Sequence, residues 1–116
     1  MTIPTEIILH KQTKMLELAF DDGSYYKFPF EFLRVYSPSA EVRGHGKGQE
    51  TLQVGKHDVV LDSIEPAGNY ALKLNFSDGH DSGLYSWEYF LELGKNQDSM
   101  WQDYLAKLEA AGQSRF

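Results

Sequence analysis

One stretch of the sequence recurs within the chain, and this internal repeat constrains the fold more than any other feature. Residues 16–33 read LELAFDDGSYYKFPFEFL and residues 72–91 read LKLNFSDGHDSGLYSWEYFL. In both copies, alternating apolar residues predict a strand with one buried face. An Asp-Gly pair then predicts a tight turn, because glycine adopts a positive φ without steric cost. The sequence therefore predicts two strand-turn-strand-helix units, which arose either by duplication or from the same local physics.

The remaining elements fit around the two copies. Alternation predicts further strands over 6–10 and 59–64, and the second copy's first strand over 70–76. The glycine-rich stretch 36–57 reads as a loop with one short strand over 51–54. We expect a helix from Ser86 to Leu93 that Gly94 ends, a last helix from Ser99, and a frayed tail from Gly112. Strand runs with added helices predict an α+β fold with a small antiparallel or mixed sheet, as one domain over 1–116.

Composition excludes several classes of protein. The 116 residues include no cysteine, which rules out disulfides, thiolate catalysis and cysteine-ligated metal centres. The formal charge of −6 disfavours attraction to nucleic acid or to anionic membranes. There is no apolar run long enough to span a membrane, and the N-terminus lacks the pattern of a signal peptide. We therefore expect a cytoplasmic protein.

The segment Arg43-Gly44-His45-Gly46-Lys47 is the candidate for contact with an anionic ligand. Its glycines expose backbone N–H groups, and its arginine and lysine add positive charge, a combination that can hold a phosphate or a carboxylate. The segment matches neither the P-loop nor the dinucleotide-binding pattern. A solvated loop without a ligand is the alternative.

The histidines offer a weak metal candidate. No two of the four histidines have the spacing of a metal-binding pair. His80, with Asp78 and Asp81 close by, supplies mixed nitrogen and oxygen ligands, although turn formation explains the aspartates equally well. No serine lies in a nucleophile elbow, and no carboxylate pair stands out among the acidic residues. We therefore expect no enzymatic activity.

An acidic and aromatic segment is the candidate for a docking face. Residues 77–103 hold six acidic residues and one lysine, interleaved with tyrosine, tryptophan and phenylalanine. Such a surface suits a basic protein partner, with Glu88 and Glu92 as its candidate contacts. The alternative is that the aromatic residues form core while the acidic residues face water.

Several phrases of the sequence resemble a known family. LELAFDDGS, FLRVYSPSAEVRGHG, IEPAGNYALKLNFSDGHDSGLYSWEYFLELG and WQDYL are similar to the DUF971 family, which is related to the N-terminal domain of gamma-butyrobetaine hydroxylase. The resemblance covers about residues 6–110. In the hydroxylases this domain precedes an iron- and 2-oxoglutarate-dependent catalytic domain, for which 116 residues leave no room. Other members are attached to Mrp/ApbC-type ATPases implicated in iron–sulfur cluster handling.

The resemblance also implies that most ligands of the family's zinc site are missing from this chain. The family motif resembles LRxxCxCxxC followed by a DGH histidine, and it places the three cysteine positions at Ser37, Ser39 and Val42 and the histidine at His80. Hydroxyls and a valine do not hold zinc, so we expect no zinc and no other cofactor here.

These observations predict a non-catalytic binding or adaptor domain of a bacterial protein. It is expected to act through an unidentified protein partner, with a link to iron or iron–sulfur metabolism implied by the resemblance, and to be a monomer or a weak homodimer. The alternative is a small metal- or anion-binding accessory protein that uses His80 with Asp78 and Asp81, or the loop from Arg43 to Gly48.

Overall fold

The computed structural model describes residues 1–44, 48 and 50–116. It has six strands and three helices in these residues. In chain order the elements are β1 Pro4–His10, β2 Met15–Phe20, β3 Tyr25–Pro29, α1 Phe30–Val35, α2 Ala40–Arg43, β4 Leu61–Ala67, β5 Ala71–Phe76, β6 Leu84–Ser86 and α3 Trp87–Ala111.

The strands form two antiparallel sheets of three strands each, in the orders β1-β2-β3 and β4-β5-β6. The first predicted unit is β2, β3 and α1, and the second is β5, β6 and α3. The α+β prediction is therefore confirmed, with antiparallel pairing throughout the described strands.

The two hairpin turns have the same geometry. Gly23 and Gly79 each have φ of 87°, which favours glycine because it lacks the Cβ that clashes there. In the first turn, Ser24 donates its N–H to the side chain of Asp22 at 2.8 Å. In the second turn, His80 donates its N–H to the side chain of Asp78 at 3.2 Å. The second copy of the turn thus carries a histidine where the first carries a serine.

Both units bury the same apolar positions in one core. The alternation in β2 and β5 turns every second residue inward, as the sequence predicts. The inward side chains of the two strands meet those of β3, β6, α1 and α3 in a single cluster. Its most buried members include Leu16, Leu18, Phe28, Phe32, Leu33, Leu61, Leu74, Tyr85, Phe90 and Leu93.

The predicted break at Gly94 is wrong, because α3 runs without interruption from Trp87 to Ala111. Gly94 lies inside the helix against the ring of Tyr26, and a Cβ built on it would lie 2.5 Å from the ring atom Cγ. The glycine therefore permits close packing of α3 on β3 rather than ending the helix. Ser99, predicted to begin a helix, instead lies within α3 and donates its hydroxyl to the carbonyl of Asn96.

Three further boundaries differ from the sequence prediction. Residues 51–54 form no strand, and β4 begins and ends later than predicted, at Leu61–Ala67. The segment after Gly112 is not frayed, since the main-chain carbonyls of Ser114 and Arg115 accept hydrogen bonds from residues 55 and 57. No helix in the described part of the chain is long and apolar enough to cross a membrane.

Candidate functional site

A partly buried polar cluster lies where the turn after β5 meets α2 and the segment before it. We call Ser37, Glu41, Asp78 and His80 the histidine cluster. The Asp-Gly turn directs His80 inward, and its side chain is only 2% exposed. Ser37 is 1% exposed, whereas the Glu41 side chain reaches solvent. The cluster thus connects a buried serine to the surface through one imidazole ring.

Both ring nitrogens of His80 are hydrogen-bonded. Nδ1 lies 3.0 Å from Oε2 of Glu41, and Nε2 lies 2.7 Å from Oγ of Ser37. A carboxylate oxygen accepts, so the geometry assigns the ring proton to Nδ1 and makes Nε2 the acceptor of the Ser37 hydroxyl. Burial lowers the pKa of His80 and the charge of Arg34 lowers it further, against the opposing effect of Glu41. The ring is therefore neutral at pH 7.

The order serine, histidine, carboxylate is that of a hydrolytic triad, and the Ser37 hydroxyl of this arrangement is closely surrounded. Oγ of Ser37 also accepts the N–H of Ser39 at 3.2 Å. Gly83 lies so close that a Cβ there would be 2.5 Å from Oγ of Ser37. A nucleophile needs room for a substrate carbonyl about 3 Å away, and this hydroxyl is enclosed by protein. In this structure the three groups form a chain of two hydrogen bonds.

Asp78 faces two cations. Its Oδ2 accepts from Nε of Arg34 at 2.8 Å and from Nζ of Lys56 at 2.7 Å. Partial burial raises the pKa of Asp78, but the hydrogen bonds from Lys56 and Arg34 outweigh it and lower that pKa to about 2. The Arg34 side chain is 8% exposed, and its Nη1 is buried without a hydrogen-bond partner among the described residues.

The structure does not bring the three candidate metal ligands together. His80 is held by Ser37 and Glu41, and Asp78 is engaged by its two cations. Asp81 is exposed, and its Oδ2 lies 4.0 Å from Nζ of Lys73. No group of three or more potential ligands that could hold a metal ion occurs in residues 1–44, 48 and 50–116.

Two of the four positions of the family zinc motif, Ser37 and His80, are in contact, but the chemistry of the four does not fit the metal. Ser37 touches His80, and Oγ of Ser39 lies 2.6 Å from Oγ of Ser82. The side chain of Val42 is buried and apolar. Two hydroxyls that are already hydrogen-bonded, a valine and a histidine with both nitrogens engaged do not form a zinc donor set. Hydrogen bonds and packing hold this loop instead.

The candidate anion loop is described only in part. Arg43 ends α2, and Gly44 caps the helix with φ of 73°. The guanidinium of Arg43 lies over the ring of Tyr89, 4.8 Å from its centroid, in a cation–π contact. His45, Gly46 and Lys47 lie outside the described residues, so anion binding by this loop stays a prediction.

A cleft of about 800 Å³ is lined by residues of 35–44 and 50–53 on one side and of α3 on the other. We call it the tyrosine cleft, because three tyrosines line it. Each phenol donates its hydroxyl to a main-chain carbonyl across the cleft: Tyr36 to Met100 at 2.5 Å, Tyr89 to Tyr36 at 2.6 Å, and Tyr104 to Gln53 at 2.7 Å. These bonds fix the rings in place. Charged side chains of both signs also line it, namely Arg43, Glu50, Glu92 and Lys107.

No pattern in the sequence predicts this cleft. It forms because residues 50–53, which lack regular structure, pack against a helix about fifty positions later in the chain. Of the two candidate partner contacts, Glu92 lies on the cleft wall and Glu88 lies one turn earlier on α3, beside Tyr70 and Trp87. Both are exposed, whereas Trp87 and Phe90 belong to the core.

Comparison with known proteins gives consistent relationships. The profile of the family described as gamma-butyrobetaine hydroxylase-like, N-terminal, matches residues 7–91. Two protein structures solved by NMR in solution are similar to the chain, each with a TM-score of 0.85. The first is 56% identical, and the match covers 99% of this chain and 90% of the other protein's chain. The second is 47% identical, and the match covers 99% of this chain and 86% of the other protein's chain.

A crystal structure of a protein of unknown function from Acidithiobacillus ferrooxidans ATCC 23270, assigned to the DUF971 family, is also similar. It is 34% identical, with a TM-score of 0.66, and the match covers 78% of this chain and 91% of the other protein's chain. No curated protein sequence matches the chain.

Proposed function

Because this chain belongs to the family of gamma-butyrobetaine hydroxylase-like N-terminal domains, also called DUF971, we propose that it is a non-catalytic binding domain. It recognises a segment of another protein in the tyrosine cleft. The observation that carries this proposal is a preformed cleft of about 800 Å³ with aromatic walls and a charged rim.

The walls of the cleft suit protein recognition. Tyrosine is enriched at protein interfaces because it gives a large, rigid, partly apolar contact at low entropic cost. The three phenols are already fixed by hydrogen bonds to Met100, Tyr36 and Gln53. A partner therefore does not have to order these side chains on binding, which lowers the free-energy cost of association.

The rim defines the chemistry of the partner. Arg43 and Lys107 provide positive charge, while Glu50 and Glu92 provide negative charge. A segment with an apolar or aromatic side chain, flanked by charges of both signs, complements such a site. The link to iron or iron–sulfur metabolism implied by the family resemblance stays a prediction, because it concerns the identity of the partner.

Site-specific photocrosslinking in cells tests this proposal. A p-benzoylphenylalanine at position 92 lies at the cleft, and the same residue at position 109 lies on an exposed part of α3 outside it. We expect a discrete protein adduct from position 92 and none from position 109. Adducts of equal yield at both positions, or at neither, would contradict recognition in the cleft.

A pair of charge reversals provides the matched control. Glu92→Lys alters the rim, and Glu109→Lys makes the same change of charge elsewhere on α3. With the crosslinker placed instead at Thr51, an exposed and uncharged residue of the cleft lining, we expect Glu92→Lys to reduce the adduct at least tenfold, and Glu109→Lys to leave it unchanged. Both carboxylates are exposed, so neither change should unfold the domain.

A further inference from the structure

The segment that follows α3 occupies a defined site on the body of the protein. Gly112 ends the helix in the left-handed conformation, with φ of 64°. Beyond it, Gly55 donates its N–H to the carbonyl of Ser114 at 3.0 Å, and His57 donates its N–H to the carbonyl of Arg115 at 2.9 Å. These two bonds use only main-chain atoms of the segment, so they would accept any sequence.

The side chain of Arg115 supplies the specific contact. Its Nε donates to Oε2 of Glu31 at 2.8 Å, and its Nη2 donates to Oε1 at 2.6 Å. The same guanidinium lies 5.2 Å from the centroid of the Trp101 ring. Arginine can form a bidentate hydrogen bond to a carboxylate and stack on an aromatic ring at the same time. Lysine cannot do both, so this arrangement is specific for arginine.

The carboxylate of Glu31 requires a hydrogen-bonded cation because it is buried. Its side chain is 9% exposed although it lies in the first turn of α1, and 84 positions separate it from Arg115. A carboxylate buried to this extent is costly unless a cation is hydrogen-bonded to it. By contrast, Phe116 is 78% exposed and contacts the ring of His57. Arg115 therefore provides most of the specific attachment of the segment.

We propose that Glu31, Trp101 and the main-chain N–H groups of Gly55 and His57 form a binding site for an extended protein segment that carries an arginine. The chain's own Arg115 occupies the site as an internal ligand, and an arginine-bearing segment of a partner protein displaces it. None of these residues lines the tyrosine cleft. The proposal goes beyond recognition in the cleft and fails or succeeds independently of it.

A peptide titration followed by ¹H–¹⁵N NMR tests the site. The probe is the synthetic peptide Gly-Gln-Ser-Arg-Phe, and the readouts are the amide signals of Gly55 and His57 and the indole signal of Trp101. We expect the full chain with Arg115→Ala to bind the peptide at least tenfold more tightly than the wild type, in which the internal ligand competes. Adding Glu31→Gln to Arg115→Ala should remove the gain, and a peptide with lysine in place of arginine should bind at least tenfold more weakly.

A second variant keeps the test decisive if Arg115→Ala does not fold. Arg115→Lys preserves the charge but loses the bidentate bond, so it should bind the arginine peptide more tightly than the wild type does. Equal affinities for the wild type and the folded variants would overturn the proposal. Binding that persists with Glu31→Gln would overturn it as well, since Arg115 would then be only a fixed structural contact.

Discussion

The imidazole Nε2 of His80 lies 2.7 Å from the hydroxyl oxygen of Ser37, although 43 positions separate the two residues. Glu41 holds the other ring nitrogen at 3.0 Å. One neutral histidine thus joins the turn after β5 to the loop after α1. This turn belongs to the second unit of the fold and this loop follows the first, so the histidine cluster connects the two.

Ser37→Ala should destabilise the protein by about 1–3 kcal/mol, because it leaves a buried ring nitrogen without its hydrogen-bond donor and the N–H of Ser39 without its acceptor. Urea unfolding at neutral pH measures this difference in the free energy of unfolding. Ser63→Ala, at an exposed position of β4, is the control and should change stability by less than about 0.5 kcal/mol. Equal stability of the two variants would show that the Ser37–His80 bond contributes nothing net.

Asp78 should make the free energy of unfolding depend on pH in the acidic range. Its pKa is lowered to about 2 in the folded state from an ordinary value of 3.8, so its contribution is fully present above pH 4. The contribution is then lost as the pH falls from about 4 to about 2. Because solvent reaches a quarter of the side chain, we expect about 1–2 kcal/mol rather than the full value of the shift. Urea unfolding at neutral pH and at about pH 2.5 measures it.

The repeated turn supplies a matched control for Asp78. Asp78→Asn keeps an oxygen for the N–H of His80 but removes the charge that Arg34 and Lys56 face, so it should abolish this part of the pH dependence. Asp22 has the corresponding place in the first turn, where its side chain accepts the N–H of Ser24. Asp22→Asn should retain most of the acid sensitivity. If both variants lose it equally, the cations are not its cause.

The hairpins were predictable from sequence because their determinants are local. Two-residue alternation fixes which side chains of β2 and β5 are buried, and the Asp-Gly pairs fix the turns. The continuity of α3 was not predictable in this way. Gly94 stops or interrupts a helix by local rules, and only the ring of Tyr26, from a strand far away in sequence, explains why a glycine is needed inside this helix.

Gly94→Ala should therefore destabilise the protein, although alanine is the better helix former. The new methyl group would lie 2.5 Å from the ring of Tyr26, and overpacking of this kind costs about 1–3 kcal/mol. Thermal or urea unfolding measures the change. In a Tyr26→Ala background the same substitution should cost less or become stabilising, because the obstructing ring is gone. A gain in stability from Gly94→Ala alone would contradict this prediction, because it would show that the Tyr26 ring moves aside at little cost.

The candidate site was predictable only residue by residue. The sequence pointed to His80 and Asp78, but not to the partners that define their chemistry. Glu41 and Arg34 reach them from 39 and 44 positions away, and no periodicity encodes such pairings. The same holds for Glu31 and Arg115, which were predicted to lie in a helical turn and in a frayed tail. Long-range polar pairs depend on how the units pack, and that information is not local.

Whether Ser37, Ser39, Val42 and His80 reproduce the geometry of the family site can be tested by restoring the donors that the family motif contains. The variant with Ser37→Cys, Ser39→Cys and Val42→Cys should take up about one equivalent of zinc, because three thiolates and one imidazole form a tetrahedral donor set. Untagged wild-type protein should hold less than about a tenth of an equivalent, since hydroxyls and valine do not replace thiolates. Elemental analysis of protein from zinc-supplemented cells measures both.

His80→Ala in the three-cysteine background should weaken zinc binding strongly. Chelation of the metal should lower the unfolding temperature of the three-cysteine variant but not of the wild type. A three-cysteine variant that stays free of zinc would show that the four positions do not reproduce the geometry of the family site.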